Sequence, residues 1–344
     1  MAPRMMTRSL LLLPITAFTL TANADLVALQ YHHVSDSTPS STSTSVSLFQ
    51  GQLDMIEDLG LEVVPLESGT RAALAGELND RSQVAITFDD AYESVYSQAA
   101  PALQERGYEY TIFVNTEAVG SHGYMTWDQL QEVRDRDGVT IANHSKDHGH
   151  LAKRPGESDN DWEARVNRSL DEAQETLSEK LGTNVPMFAY PYGEFDDALL
   201  RKIAARGWLG FGQQSGAIGE TSAATRLPRF PVANAYGQLN SLEDKLRSKA
   251  LPVDANKLPD GVISENPPTL AFTVPNTISV DRLSCFASGQ GRVGFQVSGG
   301  DKVILKAPRS FNSRRFRYNC THPAPDGSYY WLSQQWLDLS QPED

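Results

Sequence analysis

The chain has 344 residues, 40% of them hydrophobic and 21% charged, and a formal net charge of −13. That length allows one large core and a second small domain, and the composition is that of an ordinary globular protein. The acidic balance argues against nucleic acid, whose phosphates call for basic patches, and against binding anionic lipid or acidic glycan by charge alone. A neutral or cationic substrate is compatible with it, although acidity is also a plain solubility feature.

Arg4 and Arg8 precede an apolar run from Leu10 to Leu20, and Ala22-Asn23-Ala24 follows in small-x-small order. Residues 1–24 therefore read as a secretory signal peptide cleaved after Ala24. An uncleaved anchor is the other reading, but the run is shorter than the roughly 20 residues a spanning helix needs. No later stretch is apolar enough to cross a bilayer, so the expectation is an exported protein, periplasmic or secreted, with no stable membrane insertion.

Leu26 to Tyr31 reads as a buried strand ending at His32-His33, and the Ser/Thr-rich stretch from Ser35 to Ser47 as a loop. Strands and helices then alternate. Leu48 to Leu59 has helical spacing, Leu61 to Leu66 is strand-like, and Val84 to Phe88 is a buried strand closed by Asp89-Asp90. A helix from about Tyr92 to Arg106 leads to the strand Tyr110 to Asn115, the helix Trp127 to Arg136 and the strand Val139 to Asn143, which runs into His144. A long amphipathic helix follows from about Asp161 to Leu181, with Asn160 or Asp159 available as its cap. Phe188 to Tyr190, Ala198 to Arg206 and Trp208 to Phe211 complete the series as strand, helix and strand.

Such alternation calls for an α/β fold with a parallel sheet, open or closed into a barrel. Residues 251–268 are rich in Pro, Asp and Asn and read as a linker. Beyond them, residues 269–344 hold short apolar segments separated by Gly-, Ser- and Asn-rich turns, the texture of a small β-rich domain. Its cysteines, Cys285 and Cys320, suit a disulfide in an oxidising compartment, two buried thiols being the alternative.

Polar residues gather where the predicted strands end: His32 and His33, Asp89 and Asp90, His144 and His148, and Tyr192. In parallel barrels that rim is where active sites are built. His144 and His148 with one carboxylate make a donor set for a divalent metal ion that leaves a position open to water. Such an ion polarises an amide carbonyl and acidifies bound water. Two adjacent carboxylates repel unless a cation or proton intervenes; with Asp90 on the metal, Asp89 stands beside the water as a general base. The plainer readings are a helix N-cap for one aspartate and two surface loop histidines. His122 and His150 fit no ligand spacing and read as solvated loop residues. Trp127, Trp162 and Trp208 read as core more readily than as sugar platforms, and Tyr329, Tyr330 and Trp331 suit either role.

Thr87-Phe88-Asp89-Asp90 resembles the first motif, T-F-D-D-G, of the polysaccharide deacetylases of carbohydrate esterase family 4. His144-Ser145-Lys146-Asp147-His148 resembles the second, H-[S/T]-x-x-H, and Phe188 to Gly193 the third, R-x-P-Y-G. The resemblance covers about Leu26 to Val232. It implies a distorted (β/α) barrel of about seven strands, here a catalytic domain over residues 25–250. It also implies Asp89 as base, Asp90, His144 and His148 as metal ligands, and Pro191, Tyr192 and Gly193 as the acetyl pocket, with the Tyr192 N–H on the oxyanion. Ser145 would support the metal loop. The implied ion is zinc first, with cobalt, nickel or iron as others that suit, and the implied partner is an N-acetylated polysaccharide.

Three departures stand out. Ala91 replaces the usual Gly, so the turn there is expected to take a conformation that tolerates a Cβ. Ala189 stands where the family carries the Arg that orients the base, with Arg229 a weak substitute. No late L-x-H motif supplies a catalytic acid. Tyr31-His32-His33-Val34 resembles the Y-H-x-V start of the branch that deacetylates poly-β-1,6-N-acetylglucosamine, where the early His is the acid, and Phe188-Ala189-Tyr190-Pro191-Tyr192-Gly193 matches that branch too. This implies His32 as the acid, with His33 as the alternative. The implied reaction is metal-dependent hydrolysis of N-acetyl groups. An O-acetyl esterase and a catalytically silent glycan-binding protein are its rivals.

Overall fold

A computed structural model describes residues 25–78 and 82–343; the signal-peptide reading of residues 1–24 lies outside the described residues. Seven strands form the main path of one parallel sheet: β1 (Leu26–Tyr31), β2 (Gln83–Asp89), β3 (Tyr110–Val114), β4 (Val139–Asn143), β5 (Met187–Ala189), β6 (Leu209–Phe211) and β7 (Phe230–Pro231), in the order β7-β1-β2-β3-β4-β5-β6, with the short Glu62–Val63 pairing in parallel to the start of β2 as an eighth. β1, β2 and β3 are buried at every position. Unbroken apolar runs of this kind belong to parallel strands covered on both faces. Between them lie the helices α1 (Val46–Asp58), α2 (Leu66–Ala75), α3 (Ala100–Arg106), α4 (Trp127–Arg134), α5 (Asp159–Leu181) and α6 (Asp197–Ala205), and α7 (Leu239–Leu246) follows β7.

Register decides what the strand ends share. Tyr31 lies opposite Phe88, Asp89 opposite Phe113, and Val114 opposite Asn143. The residues that follow, His32, Asp90, Asn115 and His144, therefore emerge on one rim. The ring is a distorted (β/α) barrel: between β6 and β7 the seam is held by a single parallel bridge of Phe211 with Leu227.

Three local expectations change. The strand expected from Leu61 to Leu66 is only Glu62–Val63, because Leu66 already opens α2, whose buried Leu66, Thr70 and Ala73 recur at helical spacing. The helix expected from Tyr92 to Arg106 opens at Glu93-Ser94, passes through a π-turn, Val95–Ala99, and is α-helical again from Ala100, next to Pro101, which lacks the N–H that an α-turn would use. α5 is capped by Ser158 rather than Asp159 or Asn160, its hydroxyl accepting from Asp161 N at 3.1 Å.

C-terminal to the barrel are two antiparallel systems. β8 (Ser284–Ala287), β9 (Arg315–Pro323) and β10 (Tyr329–Leu337) form a sheet with Gly291–Val293 and with Lys249–Ala250, which adds in parallel to β10. Thr269–Thr273, Lys302–Lys306 and Phe295–Ser298 form the other. β9 alternates buried with half-buried residues along its whole length. Its inner face, with Phe316, Tyr318 and Cys320, packs into a core with Leu270, Leu305 and Trp336. Trp331 packs on the barrel instead, edge-on to Phe230 with ring centroids 5.2 Å apart.

Cys285 and Cys320 face each other across β8 and β9 and form a disulfide, their Cα atoms 4.1 Å apart. The bridge closes a loop of 35 residues in sequence, and such closure stabilises by about 3–4 kcal/mol through the unfolded chain. Thermal unfolding followed with and without reductant is expected to show a lower Tm on reduction, and a Cys285→Ala/Cys320→Ala protein that no longer responds to reductant.

Candidate active site

Asp90, His144 and His148 meet on the rim, each offering one ligand atom within 4.8 Å of the others. His144 Nε2 lies 3.6 Å and His148 Nε2 3.3 Å from Asp90 Oδ1. His144 Nδ1 donates to Ala189 O at 2.8 Å, which leaves the Nε2 lone pair aimed at the cluster. Asp90 Oδ1 and His144 Nε2 are both buried without a hydrogen-bond partner, a costly state for polar atoms unless they share an ion. Burial pushes Asp90 up to about 6, with the His32 side chain opposing the rise and Asp89 adding to it. His144, enclosed entirely, is pushed down to about 3. Burial also lowers His148. Neutral imidazoles and an acid short of positive charge fit a divalent cation.

The backbone that aims these groups is strained. Among the described residues, the non-glycine positions with positive φ are Asp90 (74°), Ala91 (56°), Ser145 (71°), His148 (51°) and Tyr192 (57°). Left-handed backbone costs such residues about 1–2 kcal/mol each, and all five belong to the three motifs. The turn at Ala91 thus departs from expectation: it keeps the left-handed conformation and carries the Cβ there, fully buried, with Met125 N donating to Ala91 O at 2.9 Å. Ser145 holds the next turn, its Oγ accepting from His148 N at 3.0 Å while its own N–H donates to Asn143 Oδ1 at 2.8 Å.

Asp89 is fully buried, and so is the group that answers it. Arg229 donates from Nη1 to Asp89 Oδ1 at 2.7 Å and from Nη2 to Oδ2 at 2.8 Å, and Gln30 Nε2 adds a third bond at 2.7 Å. Burial alone would raise this carboxyl. The Arg229 charge, aided by His144, outweighs it and holds Asp89 below the usual carboxylate range. Arg229 thus takes the position against Asp89 that Ala189 cannot fill. Its Nη1 also reaches Thr87 Oγ1 at 3.1 Å and its Nε Gly212 O at 3.0 Å, and it lies 5.3 Å from the Phe113 ring centroid.

His32 lines the cleft with Asp90, Tyr92, His148 and Tyr192. His33 turns away to stack on Tyr92 at 3.5 Å, and burial pushes it down to about 4. Tyr92, which the motifs did not single out, faces Asp90 and helps to hold its carboxyl down; its place three residues after Asp89 was the available signal.

Tyr192 follows Pro191 in a short turn and lies 4.5 Å from the His148 ring. His150 stacks on it at 4.1 Å with planes 2° apart. His150 is buried rather than solvated, because Glu194 Oε2 lies 2.9 Å from its Nδ1. Glu194, also fully buried, accepts from Arg314 Nε at 2.8 Å and Arg315 Nη1 at 2.7 Å, both on or beside β9. The Arg315 guanidinium lies 5.2 Å from the Tyr192 ring. The C-terminal sheet therefore reaches into the site, as β9's sequence did not reveal. His122 is exposed. Trp162 is core, donating to Leu151 O at 2.9 Å.

Fold and site together define a hydrolase built on a distorted (β/α) barrel. Residues 77–208, which hold β2 to β5 of the barrel, match the family model described as polysaccharide deacetylase. A poly-β-1,6-N-acetyl-D-glucosamine N-deacetylase of Staphylococcus aureus strain MRSA252 is 25% identical over 199 residues, covering 56% of this chain and 68% of that one. One of Escherichia coli K12 is 21% identical over 277 residues, 68% of this chain but only 41% of the relative. The structure of IcaB from Ammonifex degensii superposes with a TM-score of 0.55 at 27% identity, over 62% of this chain and 93% of that one.

Glu194 is held ionised because bonds from Arg314, His150 and Arg315 outweigh burial, which alone would raise it. A depressed folded pKa contributes stability that is present above the unfolded value, near 4.3, and lost as pH falls through the folded one. Glu194→Gln is expected to lower stability at pH 7 by about 3–5 kcal/mol, the gap from wild type narrowing below about pH 4, as denaturant titration across pH would read. Arg229→Met, which leaves the Asp89 charge buried alone, is expected to cost about the same at pH 7.

Proposed function

We propose that the protein hydrolyses N-acetyl groups of an N-acetylglucosamine-containing polysaccharide, a poly-β-1,6-linked exopolysaccharide being favoured, and releases acetate. The observation that carries the reading is the convergence of Asp90, His144 and His148 beside a carboxylate that Arg229 keeps ionised. The names of the S. aureus and E. coli relatives support the polymer.

Asp90, His144 and His148 would hold the ion, zinc by the nature of the donors. A divalent cation held there would polarise the acetyl carbonyl and acidify the attacking water. Asp89 removes one proton as the water oxygen bonds to the acetyl carbon. The Tyr192 N–H, on a left-handed residue, donates to the oxyanion that results, and Pro191 and Gly193 shape the acetyl pocket. His32 protonates the nitrogen as the C–N bond breaks, so the products are acetate and an amine that ionises in water. Ser145 keeps the metal loop in register. The Cys285–Cys320 disulfide supports action outside the cytoplasm.

Acetate release from N-acetylated and O-acetylated oligomers, with metal analysis of the same protein, tests this. Asp89→Asn is expected to lose about 10²–10⁴-fold in kcat while keeping its metal, whereas Asp90→Ala loses both. Acetate freed only from O-acetyl oligomers would make the protein an esterase; glycan binding that survives with no acetate freed would make it a binding protein.

A further inference from the structure

β9 places Arg315, Arg317 and Asn319 on its outer face, and that face walls a cleft of about 710 Å³ whose other side holds His32, Asp90 and Tyr192. Arg315 is committed to Glu194. Arg317 is not: among the described residues no carboxylate lies within ion-pair distance of its guanidinium, and its charged neighbour is Arg315. Lys245 of α7 lines the same lobe and spends one N–H on Tyr236 O. Burial lowers both Arg317 and Lys245. Among the described residues, no acid other than Asp90 lines this cleft.

Three cations around one lobe is an unusual placement in a chain with 43 acidic and 30 basic residues. Two guanidiniums side by side repel, and partial burial weakens the solvent screening that would relieve them. An anion entering the lobe removes that repulsion and gains charge-assisted hydrogen bonds from a guanidinium, whose planar fork matches a carboxylate. Gln335, opposite Arg317 in the β9–β10 register, donates its amide to Gly193 O. The basic wall is thereby tied directly to the Pro191–Gly193 turn.

We infer that Arg317, with Lys245, forms a subsite for the carboxylate of an acidic sugar unit flanking the N-acetylated unit that reacts. The inference rests on the cleft being the deacetylase's substrate site. It extends the substrate class beyond a neutral N-acetylglucosamine polymer to N-acetylated glycans in which acidic units flank the reacting one. The global charge of −13 does not oppose this, because the site is local and basic.

The test compares an oligosaccharide alternating N-acetylglucosamine with glucuronic acid against a neutral N-acetylglucosamine oligomer of the same length. KM and kcat for acetate release would be measured on wild type, Arg317→Gln and Arg317→Lys at low and high salt. Wild type is expected to show a KM about tenfold lower for the acidic oligomer. The preference should vanish in Arg317→Gln, return in part in Arg317→Lys and shrink with salt, while kcat moves little. Equal KM values in wild type, acetate release from the neutral oligomer alone, or a preference that Arg317→Gln leaves intact would each overturn the subsite. Should neither oligomer lose acetate, calorimetric binding separates the two ideas. Acidic-oligomer binding that Arg317→Gln abolishes would keep the subsite and overturn the deacetylase reading; no such binding would overturn the subsite. The Arg317→Lys protein and the salt series carry the test if Arg317→Gln does not fold.

Discussion

One buried ion pair holds this molecule's two requirements together. Arg229, wholly enclosed, bonds Asp89 through both terminal nitrogens and reaches Thr87 on β2 and Gly212 just past β6. It sits immediately before β7, beside the seam where the barrel has one bridge in place of a ladder. The same guanidinium therefore fastens the weakest joint of the ring and sets the angle and charge of the carboxylate at its mouth. A pair this deep gains little net stability over an apolar substitute. Its worth lies in specifying one geometry, since leaving either partner alone is far costlier than having neither.

Around that pair the chain accepts strain in return for aim. Among the described residues, the five left-handed non-glycine positions all lie in the three loops that carry Asp90, His144 with His148, and Tyr192. No loop could hold such a conformation in isolation. Ser145 and Asn143 brace one turn, Met125 another, and the third depends on Glu194, whose charge is answered by His150 and by Arg314 and Arg315 next to or on β9. The C-terminal sheet thus braces the Pro191–Gly193 turn rather than hanging from the barrel as an appendage.

Charge follows the same logic of place over total. The net charge of the chain describes its solubility and its long-range field. What a bound molecule meets is the cleft lining, and there the basic side chains of β9 and α7 outnumber the acids. The alternation of β9 produces this directly, since a strand that packs one face into a core offers the other face to whatever lies across from it.

The sequence by itself determined the elements with strong period or composition: the buried parallel strands, the long α5, the β-rich end, and the three motifs at the strand ends. It also placed Asp90 and His144 directly beyond β2 and β4, since each is the first residue after its strand. Only the tertiary structure decided which residue stands against Asp89, since Arg229 and Asp89 are 140 residues apart and nothing local in Leu227-Pro228-Arg229 points across the barrel. Likewise His150 read as a solvated loop residue until Glu194 and Tyr192 enclosed it, and β9 read as texture until its outer face met the cleft. Period and spacing report a residue's own element. Burial and electrostatic partnership are properties of two surfaces brought together, and they exist only once the chain has closed on itself.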